Sequence, residues 1–153
     1  MGYAVKGEGS PDVAYYLFDK HGKRLEECWF KAPYVGVMHD ITATDKWIIF
    51  TLNPLANVPE DLLKAGHKVY GWDESKFLCL GILPRRNPKP EMIKWFEYKN
   101  AFLGHTSNAF DGEDGCIYFD APVTNYNLVR LNFPSASIMS LRVWHRTRHN
   151  SLS

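Results

Sequence analysis

Short apolar stretches alternate with turn signals along most of the chain. The clearest example runs from Asp12 to Phe18 and ends at the turn signal Asp19-Lys-His-Gly22. Two further stretches, 34–42 and 47–52, are separated by Thr44-Asp45-Lys46, which predicts a hairpin. The remaining predicted strands cover residues 25–31, 77–83, 92–98, 101–110, 116–119, 126–131 and 138–144. About ten short strands with turns between them predict an all-β fold.

The strand pattern leaves the architecture open between a small sandwich or barrel and two to three four-stranded propeller blades. A short helical insertion is predicted near 58–66, because Pro59 suits a first helical position and Gly66 a helix stop. The basic segment after Trp144 lacks alternation. We therefore predict one domain over residues 1–144, followed by a disordered tail at 145–153.

Composition and charge narrow the possible functions. The 153 residues carry 18 Lys and Arg against 17 Asp and Glu, whereas proteins that bind nucleic acids usually show a strong basic excess. No apolar run is long enough to span a membrane. The three cysteines, Cys28, Cys79 and Cys116, are too widely spaced for a disulfide framework, which favours a reducing compartment such as the cytoplasm. We expect no nucleic-acid partner and no membrane span.

Histidines are the candidate site residues, because imidazole is a common ligand of transition metals. Of the six histidines, His39 and His105 lie in predicted apolar strands, whereas the other four lie in turns, after the predicted helix or in the tail. A hydrogen-bonded place in the core is the alternative for each of the two. Asp40 would point to the opposite face of a regular strand, so we expect a hydrogen-bonding carboxylate there. Asp111 is a weaker candidate ligand.

Several ordered motifs resemble those of the carotenoid cleavage oxygenase family. Met38-His39-Asp40, followed by a strand that ends at Pro54, is similar to the family's "MHD…P" segment. The stretch Gly81-Ile-Leu-Pro-Arg85 resembles its "G-V-x-P-R" motif, and 104–110 resembles its "H-x-x-N-A-F" motif. The resemblance extends from about Gly2 to Arg142 and is nearest to microbial and fungal members, which include stilbene-cleaving enzymes.

This resemblance implies a seven-bladed β-propeller with one non-haem Fe(II) ion on its axis, bound by four histidines. It implies cleavage of a conjugated C=C bond by O₂, which gives two carbonyl products. The expected partners are therefore O₂ and an apolar carotenoid, apocarotenoid or stilbene. His39 and His105 match two of the four ligands. The resemblance places the other two beyond this chain, which would then be an internal piece of a longer enzyme holding two to three blades.

With two of four ligands absent, the sequence leaves open whether this chain is an enzyme by itself. The alternatives are a non-catalytic fragment that associates with itself or a partner through open propeller edges, and a remnant without function. Four aromatic residues could line an apolar substrate passage, although packing in the core is their commoner use. These residues are Phe50, Trp95, Phe102 and Phe110.

Overall fold

The computed structural model describes residues 2–6, 9–57, 64, 70–124 and 137–143. These residues form thirteen strands and one short 3-10 helix at Pro90–Met92, so the all-β prediction is confirmed. The strands are β1 (Gly2–Val5), β2 (Asp12–Phe18), β3 (Arg24–Lys31), β4 (Val37–Ala43), β5 (Trp47–Asn53), β6 (Leu55–Asn57), β7 (Tyr70–Trp72), β8 (Cys79–Pro84), β9 (Lys94–Glu97), β10 (Phe102–Leu103), β11 (Asn108–Asp111), β12 (Ile117–Thr124) and β13 (Ser137–Val143).

Three antiparallel sheets carry most of these strands. Sheet 1 has the order β1-β2-β3, and sheet 2 has the order β4-β5-β8-β9. In sheet 3, β12 pairs with β10 and β11 in succession along one side and with β13. The strands β6 and β7 form a separate hairpin between β5 and β8. Sheets built from consecutive antiparallel strands are the repeating unit of β-propellers.

Two apolar layers hold the three sheets together. The layer between sheets 1 and 2 centres on Phe50, whose ring centroid lies 4.9 Å from that of Phe30 and 6.4 Å from that of Tyr15. The layer between sheets 2 and 3 is mostly aliphatic and includes Ile49, Leu80, Ile82, Leu103, Ile117, Phe119 and Val123. Successive strand residues point to opposite faces, so Phe50 enters the first layer and Ile49 the second. Strand β5 is thus buried on both faces.

The structure differs from the sequence prediction in sheet 3. The stretch 101–110, predicted as one strand, is divided into β10 and β11 by residues 104–107, and β12 continues to Thr124. The predicted strand at 126–131 and the tail at 145–153 lie outside the described residues. Most of the predicted helix near 58–66 also lies outside them, but Lys64 is helical. Within the described part of the chain, no helix is long and apolar enough to cross a membrane.

The aromatic residues considered for a substrate passage have different surroundings. Phe50 is fully buried, and Trp95 packs against the same layer over Gly81, where a Cβ would lie 2.7 Å from Cζ3 of the indole. Phe50 therefore belongs to the core, and the partly buried Trp95 covers it. Phe102 is half-buried, and Phe110 is exposed. The three cysteines are free and buried.

Candidate metal centre

His39 and His105 lie side by side although they belong to different sheets. The centroids of their imidazole rings are 5.0 Å apart, and the ring planes meet at 62°. His39 belongs to β4 in sheet 2, and His105 lies between β10 and β11 in sheet 3. Both residues are exposed, and the side chain of His105 is 78% accessible. The alternative of a histidine buried in the core is therefore wrong for both.

Both histidines occur where the pairing of strands is interrupted. Strand β4 pairs with β5 as far as Met38 and resumes at Ile41, so His39 and Asp40 together oppose a single residue of β5. Such a β-bulge redirects side chains relative to the regular alternation. His105 lies in the gap between β10 and β11, which both pair with β12. Because of the two interruptions, the imidazoles need not follow the regular alternation by which strand side chains face the core.

Asp40 connects the two interrupted segments. Its Oδ2 accepts hydrogen bonds from the backbone N–H of Thr106 at 2.8 Å and from Thr106 Oγ1 at 2.9 Å. Its Oδ1 accepts a bond from the backbone N–H of Ile41 at 2.8 Å. The same Oδ2 lies 4.0 Å from Nδ1 of His105. Asp40 is a hydrogen-bonding carboxylate, as the sequence predicted, and the bulge brings it beside His105.

The surroundings of Asp40 lower the pKa of its carboxyl group. Burial acts to raise this pKa, but the hydrogen bonds from Thr106 and Ile41 and the nearby His105 outweigh that effect. The carboxylate is therefore ionised at neutral pH. A negative charge next to the imidazole of His105 favours the approach of a cation.

The bulge is also supported through its carbonyl groups. The hydroxyl group of Tyr3, in sheet 1, donates to the carbonyl oxygen of Met38. Thr51, which is fully buried in sheet 2, donates from Oγ1 to the carbonyl oxygen of Asp40 at 2.7 Å. Burial, with the charge of Asp40 as a second cause, raises the pKa of Tyr3, so its phenol remains a donor. Hydrogen bonds from all three sheets thus converge on residues 38–40.

The described residues fit part of a metal centre. His39 and His105 offer two imidazole nitrogens, a donor type that iron accepts. No group of three or more His, Cys, Asp and Glu side chains in the described ranges is arranged to hold a metal ion. Asp111 is engaged elsewhere, because its carboxylate accepts bonds from Thr44 Oγ1 at 3.1 Å and from the backbone N–H of Lys46 at 3.2 Å. A complete centre would need further donors.

Comparison with known proteins places the chain in a family. It matches the family model described as retinal pigment epithelial membrane protein over residues 1–148. It is 38% identical over 128 residues to resveratrol cleavage oxygenase 1 of Aspergillus fumigatus, which covers 84% of this chain and 26% of that protein. It is 40% identical over 111 residues to isoeugenol monooxygenase of Pseudomonas nitroreducens, and this match covers 72% of this chain and 23% of that protein. The chain spans about a quarter of the length of these curated relatives.

A solved structure resolves the architecture that the strand pattern left open. The crystal structure of Pseudomonas brassicacearum lignostilbene dioxygenase matches this chain with a TM-score of 0.78 and 33% identity, over 92% of this chain and 32% of that chain. Proteins of this kind are β-propellers, so sheets 1 to 3 form part of a propeller rather than a sandwich or a barrel. Motifs, fold and relatives agree: the chain belongs to the carotenoid cleavage oxygenase family, which the retinal pigment epithelial membrane protein model represents.

Proposed function

We propose that this chain is part of a non-haem Fe(II) dioxygenase that cleaves a conjugated C=C bond with O₂ and gives two carbonyl products. The convergence of His39 and His105, from two sheets, on one point carries this proposal. The names of matched relatives refer to the cleavage of resveratrol and carotenoids and to lignostilbene. The candidate substrates are therefore a carotenoid, an apocarotenoid or a stilbene.

Each of the two histidines would give one neutral imidazole nitrogen to the metal. Neutral donors leave the positive charge of the ion uncompensated, and two of them leave room for further donors and reactants. Ferrous iron, when bound, supplies the activation of O₂. Asp40 is not counted as a third donor, since its carboxylate oxygens accept hydrogen bonds from Thr106 and Ile41. The activity is proposed for a centre completed by donors beyond the described residues.

An anaerobic titration of the chain with Fe²⁺ tests the ligand assignment. We expect His39→Ala and His105→Ala each to weaken binding by at least about tenfold, because each removes one of two donors. His21→Ala is the matched control, since His21 is exposed in the turn between β2 and β3. Equal affinity of the parent and the His39 and His105 variants would contradict the assignment.

A chimeric enzyme tests the reaction itself. The part of this chain that matches the Aspergillus fumigatus resveratrol cleavage oxygenase, with 38% identity over 128 residues, would replace the corresponding segment of that enzyme. We expect a folded, iron-loaded chimera to convert resveratrol into two carbonyl products, detected by mass spectrometry. His39→Ala in the chimera should abolish them, whereas His21→Ala should not. A folded chimera that binds iron and forms no product would contradict the proposal.

One observation favours association as a second candidate function. Strand β3 lies at an edge of sheet 1 in the order β1-β2-β3, and it exposes Leu25 and Trp29, which are 52% and 40% accessible. An edge strand with apolar side chains is a template for pairing with another chain. Sedimentation velocity should show concentration-dependent dimers that Trp29→Glu suppresses. A monodisperse monomer at high concentration would contradict this candidate.

A further inference from the structure

We propose that Asp40 and Thr106 are positioning residues that hold the imidazoles of His39 and His105 together before any metal binds. The consequence for iron binding rests on the proposed function, whereas the geometric claim concerns the metal-free chain alone. The two residues join the bulge of β4 to the gap between β10 and β11. We call this pair of hydrogen bonds the Asp40–Thr106 clamp.

Among the residues that the structure describes, His105 has little else to fix its orientation. Its side chain is 78% accessible, so packing against the core does not restrain it. Its segment is also free of regular strand pairing, which resumes only when the backbone N–H of Ser107 bonds to the carbonyl oxygen of Asp120 at 2.9 Å. The backbone N–H of Thr106 donates instead to Oδ2 of Asp40. The clamp therefore anchors the residue next to His105.

Asp40 is a fixed partner for that bond. Its Oδ1 is engaged by the backbone N–H of Ile41, and its carbonyl oxygen is engaged by Oγ1 of the fully buried Thr51. A carboxylate that is held at both its side chain and its backbone loses little further freedom on binding Thr106. The hydrogen-bonded path thus runs from the core of sheet 2 to the segment that carries His105. Holding ligands in place before binding avoids the entropic cost of ordering them.

The chain contains a natural control for this clamp. Asp111 accepts hydrogen bonds from Thr44 Oγ1 and from the backbone N–H of Lys46, and this contact also joins sheets 2 and 3. It has the same chemistry as the clamp, a carboxylate that accepts a backbone N–H and a threonine hydroxyl. It lies just beyond the end of β4, whereas the clamp lies in the middle of that strand, next to His39. Its removal should weaken the sheet contact without disturbing the imidazole pair.

Proton NMR of the metal-free chain tests the clamp. Rings with centroids 5.0 Å apart should give a nuclear Overhauser effect between carbon-bound imidazole protons of His39 and His105. We expect this signal in the parent, its loss in Asp40→Ala, and its weakening in Thr106→Val, which keeps the backbone bond. Thr106→Ser restores the hydroxyl group and should restore the signal. Asp111→Ala should retain it.

Two results would overturn the clamp: no such signal in the folded parent, or an unchanged signal in both Asp40→Ala and Thr106→Val. Far-ultraviolet circular dichroism confirms the fold of each variant, and Thr106→Ser and Thr106→Val provide the comparison if Asp40→Ala unfolds. The Fe²⁺ titration separates this inference from the proposed function. Clamp variants should bind Fe²⁺ about tenfold more weakly than the parent, as changes behind metal ligands commonly do.

The two hypotheses can fail independently. If the imidazole signals respond as expected but no variant or parent binds Fe²⁺, the clamp stands and the proposed function fails. If the histidine variants lose Fe²⁺ while the clamp variants bind it like the parent and keep the imidazole signal, the proposed function stands and the clamp fails.

Discussion

Strand β4 is joined to sheet 3 at two places, each time by a carboxylate and a threonine, but only one of these contacts accompanies histidines. In the middle of β4, Asp40, on sheet 2, accepts bonds from Thr106. Just beyond the end of β4, Asp111, on sheet 3, accepts a bond from Thr44 in the turn between β4 and β5. The two contacts therefore have the same chemistry, but the sheet that supplies the carboxylate in one contact supplies the threonine in the other.

The difference between the two contacts lies in the regularity of the strands around them. Asp111 ends a regularly paired strand, whereas Asp40 lies in a bulge and Thr106 in a gap. At these two interruptions the imidazoles of His39 and His105 lie outside the core. The same kind of contact thus only joins the sheets beyond the end of β4, but it lies beside a candidate metal centre in the middle of β4, where the pairing is broken.

The largest expected effect comes from the apolar layer between the two contacts. Ile49 is fully buried in the layer between sheets 2 and 3. We expect Ile49→Ala to lower the free energy of unfolding by about 2–5 kcal/mol, because it leaves a cavity in a packed layer. Urea denaturation measures this loss. The control Ile49→Val should cost only about 0.5–1.5 kcal/mol, and similar losses for both variants would show that the layer is not tightly packed.

The contact without histidines should matter for stability alone. Thr44 is buried, and its Oγ1 both donates to Asp111 and accepts from the backbone N–H of Trp47 at 2.9 Å. Thr44→Val should therefore lower the free energy of unfolding by about 1–2 kcal/mol, the cost of unmade buried hydrogen bonds. The imidazole signal of His39 and His105 should remain. Its loss in Thr44→Val would remove the distinction between the two contacts.

The smallest expected effect is a dependence of stability on pH. The pKa of Asp40 is lower in the folded chain than in the unfolded chain, where it is near 3.8. At pH values above 3.8, the ionised carboxylate therefore stabilises the folded state. That contribution should be lost as the pH falls below about 4 through the folded pKa. The stability difference between the parent and Asp40→Ala should therefore shrink on acidification, as measured by urea denaturation at pH 7 and below pH 4. A difference that grows on acidification would contradict the hydrogen-bonded carboxylate.

The sequence predicted the regular part of the fold well, for a physical reason. Strands such as β2 and β5 bury most of their residues, so their apolar runs and the turn residues between them are visible in the chain itself. The strand predicted at 101–110 was wrong because the segment 104–107, which is Gly-His-Thr-Ser, was included in it. The apolar residues on either side of this segment belong to two different strands, β10 and β11. The pattern of apolar residues indicates which segments are buried, but it does not indicate where the pairing between strands stops.

The candidate site was predictable only in part. The motifs around His39 and His105 identified both residues, but the close approach of their rings depends on contacts between different sheets. Tyr3, Thr51 and Thr106 were missed, because each supports the bulge or the clamp through hydrogen bonds that no local spacing encodes. The one local signal was that Thr106 directly follows His105, and it becomes informative only when Asp40 is known to lie nearby.

X-ray absorption at the iron edge of the Fe²⁺-loaded chain tests the central claim most directly, because it counts the imidazoles around the metal. We expect at least two imidazole ligands in the parent and one fewer in His39→Ala or His105→Ala, with the parent count preserved in His21→Ala. The same imidazole count in the parent and in the variant lacking both His39 and His105 would contradict it.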